Sequence, residues 1–179
     1  MQEYMLPWTV AVLRTMPERW VNLVQKLPEE LLRMQPAQGE WSALECLIHL
    51  IDTERQVFPV RMRCFLEGRD FPGFDPDSQG NLPSVEQLPK DLAREFAGLR
   101  EESLVLLEKL TPFDLERQAR HGELGTVTLS QMVHEWAAHD LMHTVQAERA
   151  MMQPFIDRCG PWQPYFAEHR VAKSAGQAK

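Results

Sequence analysis

This chain has no run approaching the roughly 18 consecutive apolar residues of a transmembrane helix, so no helical membrane span is expected. It also lacks basic charge in excess. Nineteen Lys and Arg stand against 26 Asp and Glu, a formal charge of −7 that gives no general attraction for nucleic acid or anionic lipid. The opening MQEYMLPWTV has no basic region followed by an apolar stretch, so no signal peptide is read there. Cys46, Cys64 and Cys159 are odd in number and without CxxC spacing. They read as reduced thiols of a cytoplasmic protein, with Cys46 and Cys64 packed within a helix. Strand-like alternation, internal repeats and low-complexity tracts are missing as well. GELGT lacks the Lys-Ser/Thr that completes a phosphate-binding loop, and no GxSxG nucleophile elbow occurs.

What remains is helical periodicity. With 179 residues, 44% of them hydrophobic, the chain suffices for one domain with a true core. Thr15-Met16-Pro17-Glu18 reads as a helix start, followed by apolar positions at Trp20, Leu23, Val24 and Leu27. An earlier turn through Trp8, Val10, Val12 and Leu13 would make Pro17 a kink instead. After a short segment opened by Pro28 and a Pro/Gly loop, Ser42 and Glu45 fit a capping box. The helix they open reaches about residue 68, kinked at Pro59. Residues 70–83 form a crossover loop, and Ser84 with Gln87 suggests the next capped start. Leu88, Leu92, Phe96, Leu99, Leu106, Leu107 and Leu110 make a third amphipathic helix. A fourth runs over about residues 129–152. The expected fold is all-α, a four-helix bundle with a long crossover, occupying residues 1–152. Residues 153–179 form a tail in which Pro154, Pro161 and Pro164 oppose a continued helix, Trp162, Tyr165 and Phe166 pack back, and the last nine residues are disordered.

The inward stripe of the fourth helix reads Leu129, Met132, Val133, Trp136, Ala137, then His139, Asp140, His143, Ala147 and Ala150. Histidines four apart lie about 40° apart around a helix and roughly 6 Å apart along it, so both face one way. A polar group taken off water costs a few kcal/mol unless paired, and a shared metal ion would pair both imidazoles. Hydrogen bonds to facing residues would also serve. His49 lies on the second helix between two apolar flanks, and periodicity leaves its direction open. Glu45 and Asp52 flank it and could orient its ring or add a carboxylate ligand. HEWAAH resembles HExxH but carries one residue too many: His134 and His139 stand about 140° apart and cannot chelate together. His121, in a loop, and His169, in the tail, are expected to be solvated. Arg55, Arg61, Arg63 and Arg69 form a solvated face from which one could anchor an anionic substrate.

The layout resembles the DinB/YfiT-like superfamily of metal-binding four-helix bundles over residues 15–151. The resemblance rests on LPEELLRMQPAQGEWSALECLIHLIDTERQ, where a Pro/Gly turn and Trp41-Ser42 precede a helix carrying His and then Asp, and on the final HDLMH. It implies a three-histidine site at His49, His139 and His143, holding a divalent ion, zinc or nickel, with open positions. It further implies a metal-dependent enzyme acting on a small-molecule substrate. Such an enzyme is either a thiol S-transferase using a low-molecular-weight thiol or a hydrolase, and relatives suggest a homodimer. A non-catalytic metal- or ligand-binding bundle is the alternative. A cavity over the histidines would favour the enzyme; a site sealed by Trp136 or by a fourth protein ligand would favour a structural role.

Overall fold

The computed structural model describes residues 5–73 and 87–172. Its long helices are α1 (Met5–Lys26), α3 (Ala43–Gln56) continued by α4 (Phe58–Glu67), α5 (Pro89–Leu107) and α7 (Leu129–Ile156). Two short helices, α2 (Glu29–Arg33) and α6 (Pro112–Leu115), lie in the connections. The first helix α1 packs against α5 and α7, and α3 packs against the same two. Going round the bundle the order is therefore α1–α5–α3–α7, with α1 and α3 on a diagonal. No helix among the described residues is long and apolar enough to cross a membrane.

The capping box at Ser42 forms as expected: the Ser42 hydroxyl accepts from the Glu45 N–H at 3.2 Å while the Glu45 carboxylate accepts from the Ser42 N–H at 2.7 Å. Thr128 and Gln131 start α7 in the same way, which fixes the register that carries the HDLMH pair. Elsewhere the expected boundaries move. The N-terminal turn belongs to α1, so Thr15 is not a cap; its hydroxyl donates back to the Val12 carbonyl at 2.8 Å from mid-helix. The chain breaks at Val57 (φ −115°, ψ −79°), two residues before Pro59. The proline ring crowds the preceding turn, so the distortion falls upstream of it. The start expected at Ser84 lies outside the described residues, and α5 opens at Leu88 with Pro89 in its first turn.

Two expectations about the second half are overturned. The stretch around His121, expected as a loop, forms an antiparallel hairpin, β1 (Gln118–His121) with β2 (Gly125–Thr128), paired from Gln118 with Thr128 to His121 with Gly125. Strands this short hold too few residues to show alternation. Gly125 takes φ 77°, the left-handed conformation that a tight hairpin return favours. Nor does Pro154 end α7: the helix runs to Ile156, and a 3₁₀ stretch follows over Gly160–His169. Trp162 and Tyr165 are exposed rather than packed back. The tail is held through its backbone, with Arg149 and Gln153 donating to the His169 carbonyl at 3.0 and 2.9 Å. The final residues, read as disordered, lie mostly outside the described residues.

At the centre stands a cation that sequence periodicity left unnoticed. Arg100 is fully buried on α5, in the stripe that also holds Leu92, Phe96 and Leu107. Its Nε donates to Glu54 Oε1 at 2.7 Å, and its Nη1 to Asp140 Oδ2 at 2.7 Å and to the Leu13 carbonyl at 3.1 Å. That carbonyl is available because Pro17, four residues on within α1, has no N–H to give it. Ser103 Oγ and Trp136 Nε1 donate to the Glu54 carboxylate at 2.6 and 3.1 Å. Arg100→Met should destabilise the protein by about 3–5 kcal/mol, because it leaves two buried carboxylates without their cation. Urea unfolding measures this, and a loss below about 1 kcal/mol would show that the carboxylates find other partners.

Candidate metal centre

The site grows from the contact between α3 and α7. His49 lies in the second turn of α3, and the helical repeat of α7 brings His139 and His143 opposite it. The three rings offer nitrogens that all lie within 4.8 Å of one another. His49 Nε2 and His139 Nε2 are 3.0 Å apart, and the His143 ring centroid is 4.4 Å from that of His49 and 4.5 Å from that of His139. His49 and His143 are buried and His139 is half-buried. The direction of His49, open from its sequence neighbours, is thus inward and toward α7.

The donor set fits a divalent ion. Two imidazole nitrogens on a tetrahedral ion, each bonded at about 2.0–2.1 Å, stand roughly 3.3 Å apart, close to the observed pair. Ring orientation fits as well. Gln146 Oε1 lies 2.8 Å from His143 Nδ1 and can accept its proton, which leaves the Nε2 lone pair for the site. Burial, then the neighbouring His139 and His49, push the His143 imidazole down to about 4. It is neutral near pH 7, as a ligand must be. His139 Nδ1 and Asp140 Oδ1 are both buried without a hydrogen-bond partner and face each other at 3.9 Å. A small adjustment would make Asp140 the carboxylate that holds His139 Nδ1–H, leaving its Nε2 free for the ion. No carboxylate or cysteine completes a fourth position among the described residues.

Neither flanking carboxylate joins the cluster. Glu45 is engaged by the Ser42 N–H and by Gln35 Nε2. Asp52 is raised above the ordinary aspartate range by burial, and the charges that act on it are those of Arg55 and Glu95 on the α5 side. Trp136 does not seal the site. Its ring lies beneath, stacked on Phe58 at 4.9 Å and 8°. Phe58 in turn presents its ring to His139 at 5.2 Å and 67°, and Trp41 stacks on His143 at 5.7 Å and 23°.

Over the histidines opens a cavity of about 610 Å³ whose apolar walls include Trp41, Phe58, Phe71 and Met132. His121 is a correction: it is buried and lines this cavity rather than being solvated. Its position depends on the hairpin, which its sequence neighbourhood did not disclose. Arg61 is the one arginine of the four on that helix that lines the cavity; Arg55 is paired with Glu95 and Arg69 with Glu67. Glu135, one turn before His139, stands at the rim. Partial burial pushes its carboxyl above the usual range against the pull of Arg61, His139 and His121.

A bundle with three convergent imidazoles, an open side and an apolar cavity above them has the makings of a metal-dependent protein. A family model of the DinB superfamily matches residues 13–147, and the chain belongs to that superfamily. Among solved structures it resembles YfiT from Bacillus subtilis, described as a probable metal-dependent hydrolase with an unusual four-helix bundle topology. The TM-score is 0.72 at 18% identity, covering 84% of this chain and 87% of that one. Comparison with curated proteins finds no match.

The depressed His143 gives a signed prediction for the metal-free protein. Its imidazole takes a proton less readily folded than unfolded, so the stability this contributes is present above about pH 6.5 and is lost as pH falls toward 4. The loss should reach about 3 kcal/mol at most. Urea midpoints of wild type and His143→Gln over that range test it: the wild type should fall more steeply, and parallel curves would refute the assignment.

Proposed function

We propose that the protein is a metal-dependent enzyme that activates a thiol or a water at His49, His139 and His143 and acts on a small electrophilic substrate. The observation that carries this reading is the cavity directly over three convergent imidazoles with no fourth protein ligand among the described residues. A structural ion is ordinarily closed by four protein ligands, whereas a catalytic one keeps a position open. The ion, zinc or nickel, would supply Lewis acidity and lower the pKa of a bound thiol or water toward neutrality.

The chain's own residues do the rest. Gln146 holds His143 in the tautomer that turns Nε2 to the site, and Asp140 stands ready to do the same for His139. Trp41 and Phe58 pack on the imidazoles and keep bulk water from their backs, which strengthens electrostatic interactions there. Glu135, with its raised pKa, is the carboxylate best placed at the rim to accept a proton. Hydrolysis and S-transfer with a low-molecular-weight thiol use the same ligands. A homodimer and a cytoplasmic setting, with no nucleic-acid or membrane partner, complete the proposal.

Metal analysis of protein purified without chelator, wild type beside His143→Ala, tests it. The wild type should retain about one ion per chain and the variant at least tenfold less. Equal, near-zero metal in both would overturn the reading. If metal is present, ester and amide substrates screened against thiol–electrophile pairs separate hydrolysis from transfer.

A further inference from the structure

The cavity also carries two hydrogen-bond donors, Arg61 and His121, that the metal reading does not use. His121 Nδ1 accepts the backbone N–H groups of Glu123 and Leu124 at 3.1 and 3.3 Å. An imidazole whose Nδ1 accepts must carry its proton on Nε2. The side chain is 6% exposed, and its Nε2 has no partner among the described residues, so the fixed N–H donor is left to the cavity that the ring lines. The backbone holds it there. Phe71 N–H donates to the Arg120 carbonyl and Gly122 N–H to the Phe71 carbonyl, both at 3.1 Å. A Cβ on Gly122 would meet Gly73 N at 2.9 Å, so this close clamp depends on the missing side chain.

Arg61, half-buried on α4, lines the same cavity and packs, like His121, on the Phe71 ring. Its guanidinium carbon is 5.3 Å from the centroid of Phe71, and the His121 ring meets the same Phe71 at 5.5 Å and 89°. Arg61 makes no ion pair or hydrogen bond among the described residues. The charges that act on it are Glu135 and Glu123, which line the same cavity, and neither is within ion-pairing distance. A half-buried guanidinium and a fixed N–H donor that pack on the same Phe71 ring, in a cavity whose walls are mostly apolar but also include Glu123 and Glu135, are chemistry suited to a carboxylate.

We propose that Arg61 and His121 bind the carboxylate of a small substrate whose apolar body occupies the cavity over the three histidines. This rests on the cavity being the substrate site, but it needs neither the ion nor a particular reaction. The guanidinium donates to one carboxylate oxygen and His121 Nε2–H to the other, which turns the apolar portion toward Trp41, Phe58 and the imidazoles.

Three probes sharing one ring test it: phenylacetate, phenylacetamide and 2-phenylethylamine, titrated by NMR into zinc-loaded and chelator-treated protein. Phenylacetate should bind about tenfold more tightly than phenylacetamide in both forms, and the amine most weakly. Arg61→Gln should bring acid and amide within about twofold of each other, Arg61→Lys should retain part of the preference, and His121→Asn should reduce it about threefold. Should His121→Asn fail to fold, the Arg61 pair carries the test. Equal binding of acid and amide, preference for the amine, no binding of any probe, or a carboxylate preference that Arg61→Gln leaves intact would each overturn the proposal. A preference that persists in metal-free protein upholds it even where metal analysis refutes the enzyme, so the two failures are distinguishable.

Discussion

One guanidinium touches every wall of this bundle. Arg100 on α5 reaches Glu54 on α3, Asp140 on α7 and a backbone carbonyl of α1. Removing three ionised groups from water is costly, and the cost is offset only where each donor and acceptor finds its partner in good geometry. Any slide of one helix relative to the others would leave a buried charge unmatched. The clamp therefore restricts the bundle to one relative placement of its helices more sharply than apolar packing would, since hydrophobic contact is non-directional.

The same clamp reaches the histidines. Asp140 gives one oxygen to Arg100 and faces His139 with the other, and Trp136, which donates to Glu54, supports Phe58 beneath the His139 ring. The position of His139 is thus tied to the helix-to-helix register set in the core. His143 is oriented separately, by Gln146 one turn on and by Trp41. The break at Val57 also contributes. It separates α4 from α3, and α4 carries Arg61 on the cavity side. The hairpin returns His121 to that cavity from beyond the described stretch after Phe71.

The site accordingly has two regions of different character. The imidazole cluster is largely buried, and within it His143 is pushed below the usual imidazole range, which suits a metal ion. The same cavity also holds a cation, Arg61, and the fixed N–H donor of His121, with Glu135, a carboxylate of raised pKa, among its lining. A molecule bound in the cavity would meet both.

Much of this was legible in the residues. Helical periodicity, the Ser42–Glu45 capping box and the four-residue spacing of His139 and His143 are local properties, set by backbone geometry within a few residues. They determined the helical class, the face that the pair would present and the exclusion of His134. A signal for Arg100 was present too, as a charged residue in the buried stripe of α5, but a single arginine in a stripe does not name its partners. The inward turn of His49, the place of His121 and Arg61 in one cavity, and the approach of Asp140 to His139 were not readable. These depend on contacts between residues tens of positions apart, and only the packing of α3, α4, the hairpin and α7 brings such residues within a few ångströms. The sequence by itself determined which helices form and what faces they bury; tertiary structure alone decided what those faces meet, because side-chain chemistry across a helix interface is set by register rather than by periodicity.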